Sequence, residues 1–116
     1  MMKILIPLDH DELSYEGVWV KELSANTGEI NNLPVFTKEY KFGDIVEFDP
    51  DSCEATRLVQ DRGYAPTEMV RYEGDYGVER AKWEAKGYVV EGFGSGILGV
   101  TRKPVASRVV THYGQR

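Results

Sequence analysis

The sequence predicts an α+β fold: a curled antiparallel sheet or small barrel with one helix packed on it. Two observations carry that expectation. Short β-branched and aromatic runs recur from Ile4 to Tyr72, punctuated by Gly, Pro, Asn and Asp, which is the spacing of an antiparallel meander. After them comes a single helical segment, Asp75 to Lys86, and then two apolar runs around Gly94-Ser95-Gly96. The order is a β-meander followed by β-α-β-β. It occupies residues 1–103 as one domain, leaving 104–116 as a C-terminal edge strand or flexible tail.

In chain order, Ile4 to Leu8 is a short first strand, closed by Pro7 and the acidic run Asp9-His10-Asp11-Glu12. Gly17 to Leu23 is a stronger one, with Val18 and Val20 on one face and Trp19, Lys21 and Leu23 on the other. Ser24 to Gly28 is turn chemistry, so Glu29-Ile30-Asn31 pairs back as a hairpin. Pro34 stops the ladder because it has no N–H to donate, and an apolar plug, Leu33 to Phe36, surrounds it. Gly43-Asp44 turns the chain into the strand Ile45 to Phe48, with Asp49 to Ser52 as its exit. Ala55 to Gln60 and Thr67 to Tyr72 are further strands. Asp75 caps the helix and Gly87 ends it. Tyr88 to Phe93 and Ile97 to Thr101 form the closing hairpin, and Arg108 to Thr111 is a last strand-like patch.

At 116 residues with 41% hydrophobic and 28% charged side chains, the chain can build a core without disulfides or a structural metal. Cys53 is the lone cysteine and suits a reducing compartment. The apolar start, stopped at Pro7, is too short for a signal-peptide core or a membrane span, so the expectation is a cytoplasmic protein. The net charge of −5 is uneven. Residues 1–54 set four lysines against twelve carboxylates, net −8, and residues 55–116 set ten basic against seven acidic side chains, net +3. A duplex-binding face needs clustered positive charge, so the expectation is no nucleic acid. A basic protein surface complements the acidic half.

Several steps of the middle of the chain match a known pattern. Glu16 and Trp19 lie on the first strong strand, Asn31 and Leu33-Pro34-Val35-Phe36 form the break, and Gly43-Asp44-Ile45-Val46 opens the next strand. In this the chain resembles a family of small bacterial and phage-encoded proteins of unknown function, over residues 4–103. The asparagine sits one residue further from the proline than in that pattern, and the helix carries Trp83 where an aliphatic residue is usual. What the resemblance implies is the fold.

The motifs that suggest chemistry fail on their own requirements. Gly94-Ser95-Gly96-Ile97-Leu98-Gly99 matches a dinucleotide fingerprint, but that mechanism needs a following helix, and Ile-Leu-Gly-Val-Thr-Arg-Lys-Pro is a strand. Neither Asp9-His10-Asp11-Glu12 nor Asp49-Asp51-Glu54 has the glycine bend and distant glutamate of a calcium loop. Two His and one Cys are too few for a zinc site. Cys53 lies in an acidic stretch, which opposes thiolate formation. Ser95 lacks the surroundings of a nucleophile elbow. No catalytic residue, cofactor or metal follows.

The helix offers the strongest binding candidates. Val78, Ala81 and Ala85 share one narrow face, while Tyr76, Arg80 and Trp83 share the opposite one. If the small face is inward, Tyr76, Arg80 and Trp83 are presented to a partner, and these are residue types favoured at hot spots. The other orientation puts Trp83 inward. The leading expectation is thus a non-enzymatic module that occupies a partner's surface, of the inhibitor or immunity type. The alternative is a small-ligand, nucleotide-like binder in which Trp19, Tyr64, Tyr72 or Trp83 stacks on a ring and Arg57, Arg71 or Arg80 holds phosphate. A small hydrolase using Cys53 or Ser95 with His10 or His112 stands third. Exposed sheet edges are compatible with a monomer or a homodimer.

Overall fold

A computed structural model describes residues 1–104; the patch 108–111 and His112 lie outside the described residues. The elements are β1 (Met2–Pro7), β2 (Tyr15–Glu22), β3 (Thr27–Ile30), β4 (Ile45–Phe48), β5 (Ala55–Gln60), β6 (Glu68–Arg71), α1 (Tyr76–Ala85), β7 (Tyr88–Gly92) and β8 (Ile97–Arg102). They form two antiparallel sheets, one of five strands in sequence order β1-β2-β3-β4-β5, the other ordered β6-β8-β7. The meander and the β-α-β-β unit anticipated from the sequence are both present, each with its own sheet.

Alternation decides the first core. Ile4 pairs with Val18, and Val20 pairs with both Met2 and Ile30, so the β-branched side chains of three strands fall on one face. With Ile6, Tyr40, Val46, Phe48 and Ala55 they make a buried cluster. The sheet curls until its two edge strands touch at one point. There the Leu5 N–H donates to the Cys53 carbonyl at 2.8 Å, beside a parallel bridge between Leu5 and Glu54. It does not close as a barrel, so of the two expected forms the curled sheet is the one adopted. The reason lies in β5, whose register against β4 shifts twice and whose residues Thr56 to Gln60 are exposed. A strand so irregular leaves the β1 ladder after one contact.

The second sheet is held between α1 and the segment after β3. Val70 pairs with Leu98, and Val90 with Val100. This face, together with Tyr72, Tyr76, Trp83 and Tyr88, forms the second core. On the helix, the Asp75 carboxylate accepts the Val78 N–H at 3.0 Å, satisfying one orphan donor of the first turn. Gly87, at φ 91°, takes the left-handed position that ends a helix.

The opposite face of the second sheet meets Leu33, which is 1% exposed. A Cβ at Gly99 would stand 2.4 Å from Phe93 and 3.3 Å from Leu33, so only a glycine lets both side chains lie against the strand. The Leu33 N–H donates to Glu91 of β7 at 2.8 Å. Further along, Ala65 N–H donates to the Arg102 carbonyl at 3.2 Å, and the Thr101 hydroxyl donates to the Ala65 carbonyl.

One buried charge makes stability depend on pH. Asp44 is buried; one carboxylate oxygen accepts the Lys41 N–H at 2.8 Å and the other has no partner. Burial pushes this carboxyl above the usual range, against the pull of the Lys41 amide and ammonium. Its folded pKa exceeds its unfolded one, so the ionised group costs stability at neutral pH, and the cost is relieved as pH falls through the folded pKa. Asp44→Asn keeps an acceptor for Lys41 and removes the charge. Its urea midpoint, relative to wild type, is expected to be more favourable at pH 7 than at pH 4.5. A pH-independent difference would contradict the assignment.

Among the described residues no helix is long and apolar enough to cross a membrane.

Candidate functional site

The segment after β3 begins by copying a strand. The Asn31 N–H donates to the Trp19 carbonyl at 2.8 Å, and the Trp19 N–H donates to the Asn32 side-chain oxygen at 2.6 Å. An asparagine side chain thus replaces the backbone acceptor, after which Pro34 bars any continuation of the ladder. The next three amides turn toward β2. Val35, Phe36 and Thr37 donate their N–H groups to the single carboxylate of Glu16, at 2.6, 2.9 and 2.8 Å. Successive amides pointing into one concavity make an anion-binding nest, and here the anion comes from the chain itself.

The clamp fixes what would otherwise be a free loop, and it does so with Phe36 in solvent, 52% exposed. Facing it is the β1–β2 loop, closed by the Leu8 N–H to Ser14 carbonyl bond at 2.9 Å. Inside that loop His10 Nδ1 accepts the N–H groups of Glu12 and Leu13 at 3.1 and 3.2 Å. Accepting both requires the ring proton to sit on Nε2. The His10 ring meets Phe36 edge-on, with centroids 6.5 Å apart and planes at 66°. Between Pro7–His10 and Phe36–Glu39 lies a hollow of about 160 Å³. Asp9 and Glu39, both exposed, line it, Asp11 and Glu12 follow in the same loop, and Lys38 is the one cation on its wall among the described residues.

The helix presents a different set from the one that would serve a partner directly. Val78 is 61% exposed, Ala81 and Ala85 are exposed, and Tyr76 and Trp83 pack on the second core. Of the two orientations considered, Trp83 is inward and the outward one is corrected. Burying an indole and a phenol removes more apolar surface than burying methyl groups. Trp83 meets Tyr88 edge-on at 4.9 Å and donates its indole N–H to Glu79 at 3.3 Å. Arg80 donates to Glu84 at 3.0 Å and to the Tyr76 hydroxyl at 2.9 Å. Its guanidinium is held above its usual pKa by Glu84 and then by Tyr76. Tyr76, Arg80 and Trp83 are together, then, as an interlocked set.

The residues expected to stack on a ring and hold phosphate are dispersed. Trp19 lies on the outer face of β2, 48% exposed, with the Lys3 ammonium 5.9 Å from its ring centroid. Tyr64 packs edge-on against Phe42 at 5.0 Å, and Tyr72 lies 6.3 Å from Tyr76. Arg57 pairs with Glu47 at 2.9 Å, and Arg71 is exposed at the end of β6. An aromatic and an arginine do come together elsewhere. Tyr88 and Arg102, with Pro66 and Glu68, line a hollow of about 390 Å³; neither Tyr88 nor Arg102 stood out in the sequence.

Ser95 lies in the turn between β7 and β8, so the glycine-rich motif turns a hairpin and no helix follows it. Cys53, at φ 63°, occupies the turn before β5 and contributes its carbonyl to Leu5. Among the described residues no group of three or more His, Cys, Asp or Glu is placed to hold a metal ion.

No family profile and no curated protein matches the chain. In fold it is similar to the crystal structure of a hypothetical protein from Neisseria gonorrhoeae, with a TM-score of 0.65 and 18% identity over 90% of this chain and 78% of that one. At that identity the likeness defines a shared α+β architecture.

Proposed function

We propose that this protein is a non-enzymatic binding module that acts by occupying the surface of another protein, in the manner of an inhibitor or immunity protein. The observation that carries this reading is the Glu16 clamp, which spends three hydrogen bonds on holding an aromatic side chain in solvent. An anchor immobilised before association loses less entropy on binding, and a central aromatic within a polar rim is the anatomy of a hot spot. The rim is acidic, in the half of the chain with net charge −8, which favours a partner with a basic surface. The lone Cys53 supports a cytoplasmic setting, and the resemblance of residues 4–103 to small bacterial and phage-encoded proteins favours such a source.

Phe36→Ala is the test. The ring is half exposed, so stability should change by no more than about 0.5 kcal/mol. Affinity capture from lysate of the source cells, run beside native mass spectrometry, should show a partner with wild type and its loss with the folded variant. Capture unchanged by the substitution would contradict the reading. A small mass adduct with no protein partner would do so too, and would move attention to the Tyr88–Arg102 hollow.

A further inference from the structure

We propose that the hollow between His10 and Phe36 is a receptor for one cationic side chain, a lysine or arginine projecting from the partner. This rests on the binding-module reading and adds the chemistry that the site selects. Size comes first. A volume of about 160 Å³ equals roughly five water molecules at ~30 Å³ each and falls short of the ~300 Å³ at which small-molecule sites begin. It admits a single side chain. The walls then choose which one. Pro7, Leu8 and the Phe36 ring are apolar and suit an aliphatic stem, while the open aromatic attracts a cation within ~6 Å of its centroid. Asp9 and Glu39, exposed carboxylates, share the lining with these apolar groups, Asp11 and Glu12 follow in the same loop, and Lys38 is the one opposing cation among the described residues. An apolar wall beside carboxylates complements a long side chain with a charged tip.

Both walls are set before any guest arrives. The Glu16 clamp holds the Phe36 wall, and the paired N–H bonds to His10 Nδ1 hold the loop opposite. Among the described residues Asp9, Asp11, Glu12 and Glu39 form none of the ion pairs.

Three acetylated tripeptide amides, Gly-Arg-Gly, Gly-Lys-Gly and Gly-Leu-Gly, titrated into ¹⁵N-labelled full-length protein test this. The two cationic peptides should shift amide resonances of residues 8–12 and 36–39, and the leucine peptide should not. In Asp9→Asn/Glu39→Gln, whose fold the same spectra verify, affinity for the cationic peptides should fall roughly fivefold. In 1 M salt wild-type binding should weaken as well. Equal shifts with the leucine peptide, or cationic shifts confined to other residues, would overturn the assignment. The outcomes separate it from the broader reading. Silent titrations with capture still abolished by Phe36→Ala would overturn the receptor and leave the binding module standing. Peptide binding at the hollow with capture unaffected by Phe36→Ala would leave the hollow's selection of a cation standing but overturn its use by the partner, and the binding module with it.

Discussion

Glu16→Ala should lower the melting temperature by about 10–15 °C, the shift expected of roughly 3 kcal/mol in a domain of this size. The magnitude follows from three amides that lose a charged acceptor together. Each such bond contributes ~1 kcal/mol net, below the ~1.5–3 kcal/mol of bonds to charged groups, because Phe36 is exposed and its two neighbours are only half-buried. The substitution should act locally. Exchange of the Val35, Phe36 and Thr37 amides should quicken on the order of a hundredfold, while the β1–β2 ladder keeps its protection at temperatures where the variant is folded. Glu16→Gln retains an acceptor oxygen and should lose about half as much. A melting temperature unchanged in Glu16→Ala would show that water replaces the carboxylate at no cost. The loop would then not be preorganised.

Leu33→Ala should destabilise by about 3 kcal/mol, within the 2–5 kcal/mol range of buried leucine truncations. Leu33 is 1% exposed and lies against Gly99 of the second sheet, while its own N–H is tied to Glu91. Truncation removes the side chain that covers β8 at Gly99 and leaves a cavity there. Leu33→Met conserves volume and should cost less than ~1.5 kcal/mol. Chemical denaturation of the two variants measures the difference. Equally small losses in both would mean that the site tolerates any apolar filling and that other contacts hold the second sheet.

Much of the architecture was legible because it depends on local chemistry. Val18, Val20 and the polar turn after Leu23 define a hairpin by themselves, although Thr27 and Gly28 belong to β3 and not to the turn, and Asp75 and Gly87 bracket a helix without reference to anything distant. That β1 to β5 form one sheet and β6 to β8 another was not legible, since partner choice across the break at Pro34 depends on packing. The same holds for α1. Its two faces were both readable, but which faces the core depends on the area each buries, and the sheet decides in favour of Tyr76 and Trp83.

The site was legible only in fragments. Pro34 announced a break and Leu33 to Phe36 an apolar plug, yet only Leu33 and Pro34 are buried, and Phe36 is exposed. The interaction that separates their fates links Glu16 to amides 19 to 21 positions away. Backbone donors leave no mark in a sequence, so the only signal was a glutamate at position 16, half-buried on the face that Val18 and Val20 share. His10 was equally opaque: it stood out for a metal or catalytic role, and the structure employs it as an acceptor for its own loop.

The most direct measurement is photocrosslinking from two positions in the folded, full-length protein. A p-benzoylphenylalanine placed at Phe36 samples the clamped loop; one at Val78, 61% exposed on α1, samples the helix. The account predicts a discrete crosslinked protein species from position 36, suppressed by 1 M salt, and none from position 78. A crosslink from position 78 with none from position 36 would contradict it and place the contact surface on the helix.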